Sequence, residues 1–112
     1  HALHGIAGGI KEEKNFRVML VCFLLVLATN TFFRVSTTEW IITLICSGLV
    51  LSSELINSAV EKTIDFVTDD FHHLAGAAKD YSAGAALITS ITSFIIALII
   101  YLPYFIDLIK GN

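Results

Sequence analysis

Charge is scarce in this chain: 15% of its 112 residues are Asp, Glu, Lys or Arg, against 55% hydrophobic residues. That balance is too apolar for an ordinary soluble domain of this size and indicates one small membrane domain. Basic residues are fewer than acidic ones, 7 against 10, and the net charge of -3 excludes the basic face that nucleic-acid binding needs. No Gly-rich Gly-Lys-Ser/Thr segment is present, which excludes a Walker-type phosphate loop. The two cysteines, Cys22 and Cys46, lie inside apolar stretches, where thiols act as small hydrophobes rather than bridges or ligands. His72 and His73 are adjacent, face different directions and make a poor zinc pair. Nothing ahead of the first apolar block resembles a secretory signal. The chain begins at His1 rather than at a methionine, so a few residues are expected ahead of it.

Three apolar blocks remain: Val18 to Phe33, Trp40 to Ser53 with a polar continuation, and Tyr81 to Ile106, which carries no charge. The last is ample for a ~30 Å hydrocarbon core at ~1.5 Å per residue, and tilt or local thinning accommodates the shorter first block. The expected architecture is all-α. It has an interfacial amphipathic helix over 1–17, spans over 18–34, 39–66 and 79–106, and a polar loop over 67–78 in which a helix restarts near Ala77. Leu3, Ile6 and Ile10, set among His4, Lys11, Glu12, Glu13, Lys14 and Arg17, have the spacing of a helix lying in the interface. Ser36-Thr37-Thr38-Glu39 suits a helix start, Trp40 an aromatic belt, and Pro103 the exit of the last span.

The second block contains the most expensive residues. Glu54, Asn57, Glu61 and Asp65 project within a sector of roughly 80° at about 100° per residue. An ionised side chain at bilayer depth faces water, a metal or a partner, so such a stripe is functional by default. Glu54 and Glu61 are two turns, roughly 10 Å, apart and do not easily share one ion. The deeper Glu54 suits a proton acceptor, since a partly desolvated carboxylate is a stronger base than one in water. The shallower Glu61 suits a hard cation, with Glu13 as a second oxygen ligand, while Asn57 can donate to a phosphate or hydroxyl. Lys79-Asp80 offers a cation for phosphate and a carboxylate to orient it, or an ordinary helix start. Polar contacts between helices of an oligomer would use the same residues without chemistry.

Five basic residues, Lys11, Lys14, Arg17, Lys62 and Lys79, lie on one side of the expected spans and two, Arg34 and Lys110, on the other. That bias puts the N-terminus, the 67–78 loop and the carboxylates at the cytoplasmic interface, with access to ATP and Mg²⁺. From the residues alone, such a site serves a transporter, a channel subunit or a lipid-modifying enzyme.

Glu54-Leu-Ile-Asn57-Ser58-Ala-Val-Glu61 with Asp65, His72-His-Leu-Ala-Gly-Ala-Ala-Lys79-Asp80 and Ala83-Gly-Ala resemble the signature of the prokaryotic diacylglycerol kinase family. His1-Ala-Leu-His-Gly5-Ile and Lys11-Glu12-Glu13-Lys14-Asn15 resemble its interfacial helix, although His1 stands where an aromatic residue is common. The resemblance implies a membrane homotrimer that moves the γ-phosphate of ATP to a lipid hydroxyl, with ligands from neighbouring protomers completing each site. By the same resemblance Glu54 is the general base and Glu13 and Glu61 hold Mg²⁺. ATP would be met by Glu13, Glu61, Asp70, His72, Lys79, Asp80 and His1, and the lipid by Glu54, Asn57 and Ala83. The family contains diacylglycerol and undecaprenol kinases. Lys11-Glu-Glu-Lys-Asn15, Ser36-Thr-Thr-Glu-Trp40 and Leu102-Pro103 look more like the undecaprenol branch.

Overall fold

Four helices carry the chain in a computed structural model that describes residues 1–68 and 72–111. They are α1 (Ala2–Glu12), α2 (Lys14–Phe33), α3 (Thr37–Val67) and α4 (His73–Ile109). Local chemistry explains most of their ends. Ser36 and Glu39 form a reciprocal capping box at the start of α3. The Ser36 hydroxyl accepts from the Glu39 N–H at 3.1 Å, and the Glu39 carboxylate accepts from the Ser36 N–H at 2.9 Å. α2 stops at Arg34, whose left-handed backbone (φ 53°, ψ 50°) returns its N–H to the carbonyls of Asn30 and Thr31.

Three boundaries differ from the sequence expectation. The segment 1–17 is broken at Glu13, an extended residue (φ -109°, ψ 107°) between α1 and α2, so Lys14–Arg17 open the first long helix. Arg17 explains the break. Its guanidinium donates to the carbonyls of Ile10 and Lys11 at 3.0 and 3.1 Å, satisfying last-turn acceptors of α1 that a continuous helix would have bonded itself. The final helix begins at His73 rather than near Ala77, because the His72 ring accepts from the Leu74 N–H at 3.1 Å and the alanines that follow favour helix. Pro103 lies inside α4, which runs on to Ile109, so it does not mark the helix exit. A proline removes one ladder bond, a loss that transmembrane helices tolerate through local readjustment.

The helices α2, α3 and α4 are each long and apolar enough to cross a membrane. The packing is that of spans: large side chains such as Leu25, Ile45, Ile88 and Ile99 point outward, whereas the few buried groups include Asn30, Thr43, Glu54 and Asn57. The principal extents are 59 × 28 × 21 Å, the long one set by the 37 residues of α4 at about 1.5 Å each.

Polar pairs fix the register. Along α3 from Glu39 through Cys46 and Ser53 to Asp65, the partners on α4 run backwards through Tyr104, Ser93, Thr89 and Lys79, so these helices are antiparallel. α2 is also antiparallel to α3, meeting it through Asn30–Thr43 at one end and Glu13–Lys62 at the other. At the Asn30 end the three helices are knotted together. Asn30, fully buried, donates to the Thr43 hydroxyl at 2.9 Å and accepts from the Tyr101 hydroxyl at 2.5 Å. Phe33 packs beside it against the tilted ring of Tyr104 and edge-to-face with Phe105.

Asn30→Ala leaves Thr43 and Tyr101 without their shared partner and is expected to lower stability by about 1–2 kcal/mol. Ser53→Ala should cost clearly less, since its partner Thr89 keeps a backbone acceptor at Ala86. Thermal unfolding of both variants in detergent micelles checks the order.

Candidate active site

At the opposite end of α3 from the Asn30 knot, the helix periodicity stacks its polar residues turn upon turn. Glu54 and Asn57 are buried, at 8% and 9% exposure, while Glu61 is half-buried and Asp65 exposed. The stripe therefore emerges from the protein toward its polar end. The Asn57 amide donates to Glu61 at 3.3 Å, which fixes the carboxylate and leaves the amide oxygen Oδ1 buried without a partner. A buried acceptor of this kind is costly unless a donor or a cation arrives.

Glu13 reaches the same place from the break between α1 and α2. Glu54 experiences the charges of both Glu61 and Glu13, so three carboxylates from two elements share one electrostatic neighbourhood. Gly9 permits this closeness. A Cβ there would lie 2.7 Å from the Leu55 Cδ2 and 3.1 Å from the Phe16 ring, so α1 rests directly on α3. Lys62 bridges the two elements from the rim, 3.4 Å from Glu12 and 3.6 Å from Glu13.

One turn above Glu61, Asp65 accepts from the Lys79 ammonium at 2.6 Å and ties α3 to the first turns of α4. Asp80 and Ala83 are exposed on the same part of α4, Ala83 one turn beyond Lys79. The ring of His72 caps α4 through Nδ1. His1 is not brought to this cluster within one chain, since it stands at the far end of α1, about 18 Å from Glu13 along the axis. Asp70 lies outside the described residues.

Among the described residues no three His, Cys, Asp or Glu side chains gather closely enough to cage a metal unaided. The donors nevertheless fit Mg²⁺, which is held by one or two carboxylates with waters and substrate phosphates rather than by an all-protein cage. Glu13 and Glu61 would supply the two carboxylates, and the unpartnered oxygen of Asn57, whose amide donates to Glu61, is a further hard donor. The arrangement combines a buried carboxylate, oxygen donors of the kind a hard cation takes, and a lysine held by Asp65.

Sequence reasoning did not assign Lys62 or the Asp65–Lys79 pair to the site; it reads Gly5, Gly8 and Gly9 alike as permitting close approach of a headgroup or another helix, and of the three only Gly9 meets one. Asp65 had a visible signal, because it continues the stripe one turn past Glu61. The contacts of Gly9 and Lys62 depend on how α1 folds back, and no spacing announced them.

Below Glu54 the bundle holds an apolar cavity of about 300 Å³, lined by Met19 and Phe23 of α2, Val50 of α3 and Phe94 and Ala97 of α4. Val50 is one turn from Glu54 on the same buried face.

The family model described as Prokaryotic diacylglycerol kinase matches residues 1–101. Undecaprenol kinase of Bacillus subtilis (strain 168) is 40% identical over 103 residues, covering 92% of this chain and 84% of that protein. Diacylglycerol kinase of Helicobacter pylori (strain J99 / ATCC 700824) is 35% identical over 69% of the chain and 60% of its own length. Diacylglycerol kinase of Escherichia coli (strain K12) is 30% identical over 81% of the chain and 75% of its own length.

Gly9→Val should push α1 off α3, at about 1–3 kcal/mol for overpacking, and raise hydrogen exchange throughout Ala2–Glu12. Gly8→Ala, whose new methyl meets open space, should leave that exchange unchanged.

Proposed function

The chain belongs to the prokaryotic diacylglycerol kinase family, and on that premise we propose that it transfers the γ-phosphate of ATP to the hydroxyl of a membrane lipid. The observation that carries this reading is the convergence of buried Glu54 and Asn57 and half-buried Glu61 on α3 with Glu13 from the α1–α2 break. The apolar cavity that begins one turn below Glu54 supports a substrate with a hydroxyl above and hydrocarbon beneath.

In this mechanism Glu54 takes the proton of the lipid hydroxyl as its oxygen attacks the γ-phosphorus, and the bond to the leaving ADP breaks in line. Asn57 orients the Glu61 carboxylate and turns its free oxygen toward the incoming hydroxyl. Glu13 and Glu61 hold Mg²⁺, which when bound neutralises phosphate charge and aligns the transferred group. Lys79, presented by Asp65, meets the polyphosphate, with Asp80, His72 and Asp70 on the nucleotide side. Ala83 faces the lipid. Neighbouring protomers of a homotrimer complete each site, which is how His1 reaches ATP. The protein sits in a bacterial cell membrane with its N-terminus and site on the cytoplasmic side.

Undecaprenol is the favoured substrate. The relative of that name matches a larger share of the chain at higher identity than the diacylglycerol kinases described above. Diacylglycerol is the second reading, favoured by the names of those other relatives.

Phosphate transfer from γ-labelled ATP into organic-extractable lipid should require Mg²⁺ and be faster with undecaprenol than with diacylglycerol. Removing the base by Glu54→Gln should reduce the rate by about 10²–10⁴-fold with the fold intact. Normal transfer by that variant would rule out Glu54 as the base. Ion or solute flux across liposomes without ATP consumption would point instead to a transporter or channel subunit.

A further inference from the structure

Lys62 has no part in the mechanism above, yet its ammonium lies between two carboxylates, 3.4 Å from Glu12 and 3.6 Å from Glu13. We infer that Lys62 is a built-in counter-cation that occupies Glu13 until a divalent cation displaces it, with Glu12 as the position to which it withdraws. The inference rests on the assignment of Glu13 as a metal ligand.

The geometry favours this role over that of a tether. Lys62 and Glu12 are both largely exposed, at 63% and 65%, so solvent screens their pair and it adds little to holding α1 in place. α1 is held independently by the close approach of Gly9 to Leu55 and by the Arg17 bonds to Ile10 and Lys11. Glu13 is much less exposed than Glu12, at 27%, and its charge acts on buried Glu54, so it is the one whose repulsion needs relief. With two carboxylates side by side, the ammonium gives up one partner and keeps the other. The flexible stem of lysine permits that shift without backbone movement. The local charge then changes little when the metal arrives, and an empty site does not force three carboxylates apart.

A tether and a counter-cation predict opposite effects on metal affinity. Lys62→Met keeps the stem and removes the charge. It should therefore tighten Mn²⁺ binding in the absence of nucleotide by about three- to tenfold, as expected for one charge acting on a divalent ion near a screened surface. Glu12→Gln leaves the ammonium only Glu13 and should weaken Mn²⁺ binding. Lys62→Arg, which retains the charge, should stay within about twofold of the wild type on the same grounds. The measurement is Mn²⁺ titration of the purified full chain in micelles, read by the loss of the free-ion electron paramagnetic resonance signal. Unchanged or weaker binding in Lys62→Met overturns the inference. Glu13→Gln separates the two levels: if it leaves Mn²⁺ affinity unchanged, the metal assignment fails and the inference with it. If it weakens binding while Lys62→Met has no effect, only the counter-cation role is lost.

Discussion

The structure depends on one constraint: a helix long and apolar enough to cross a membrane carries ionisable groups on one of its faces. Glu54 is buried, and a buried carboxylate is costly without a partner or a proton to share. The rest of the site follows from limiting that cost. The stripe grows more exposed from Glu54 to Asp65, so charge is delivered toward solvent while Glu54 stays sheltered. Asn57 contributes polarity without charge in the middle. The remaining carboxylate, Glu13, comes from the break between α1 and α2, so the long helix does not carry every carboxylate of the cluster itself.

Bringing α1 to that face requires the chain to turn between α1 and α2 without a glycine or proline at the turn. Arg17 solves this from the far side of the break, its guanidinium reaching back to two carbonyls of the helix that has just ended. Glu13 is extended at that break, its N–H still bonded to the Gly9 carbonyl and its own carbonyl to the Arg17 N–H, and its carboxylate meets the Lys62 ammonium of α3 at 3.6 Å. Gly9 then sets the height at which α1 lies. Two small features, one glycine and one arginine, thus determine where the Glu13 carboxylate stands relative to Glu54.

Much of this was legible in the residues. The three long helices followed from apolar block lengths, because backbone satisfaction in a hydrocarbon slab leaves few alternatives to helix. The stripe Glu54, Asn57, Glu61 and Asp65 followed from periodicity, which is a property of one helix and needs no partner. What remained hidden was interhelical or conformational. The break at Glu13 is set by a side chain four residues later. The start of α4 is set by an unremarked histidine cap, and Pro103 continues a helix it was expected to end. The Asn30 knot joins residues 71 positions apart, and no local pattern identifies Tyr101 as its third member.

That knot also imposes an order on assembly. Asn30 and Thr43 are 13 residues apart and can meet as soon as α2 and α3 form a hairpin, whereas the hydroxyl that fills the Asn30 carbonyl oxygen arrives only with the last helix. Until then the Asn30 side-chain oxygen lacks its partner within the hairpin. A nascent chain released before α4 is therefore marked as incomplete at the end of the bundle away from the carboxylates.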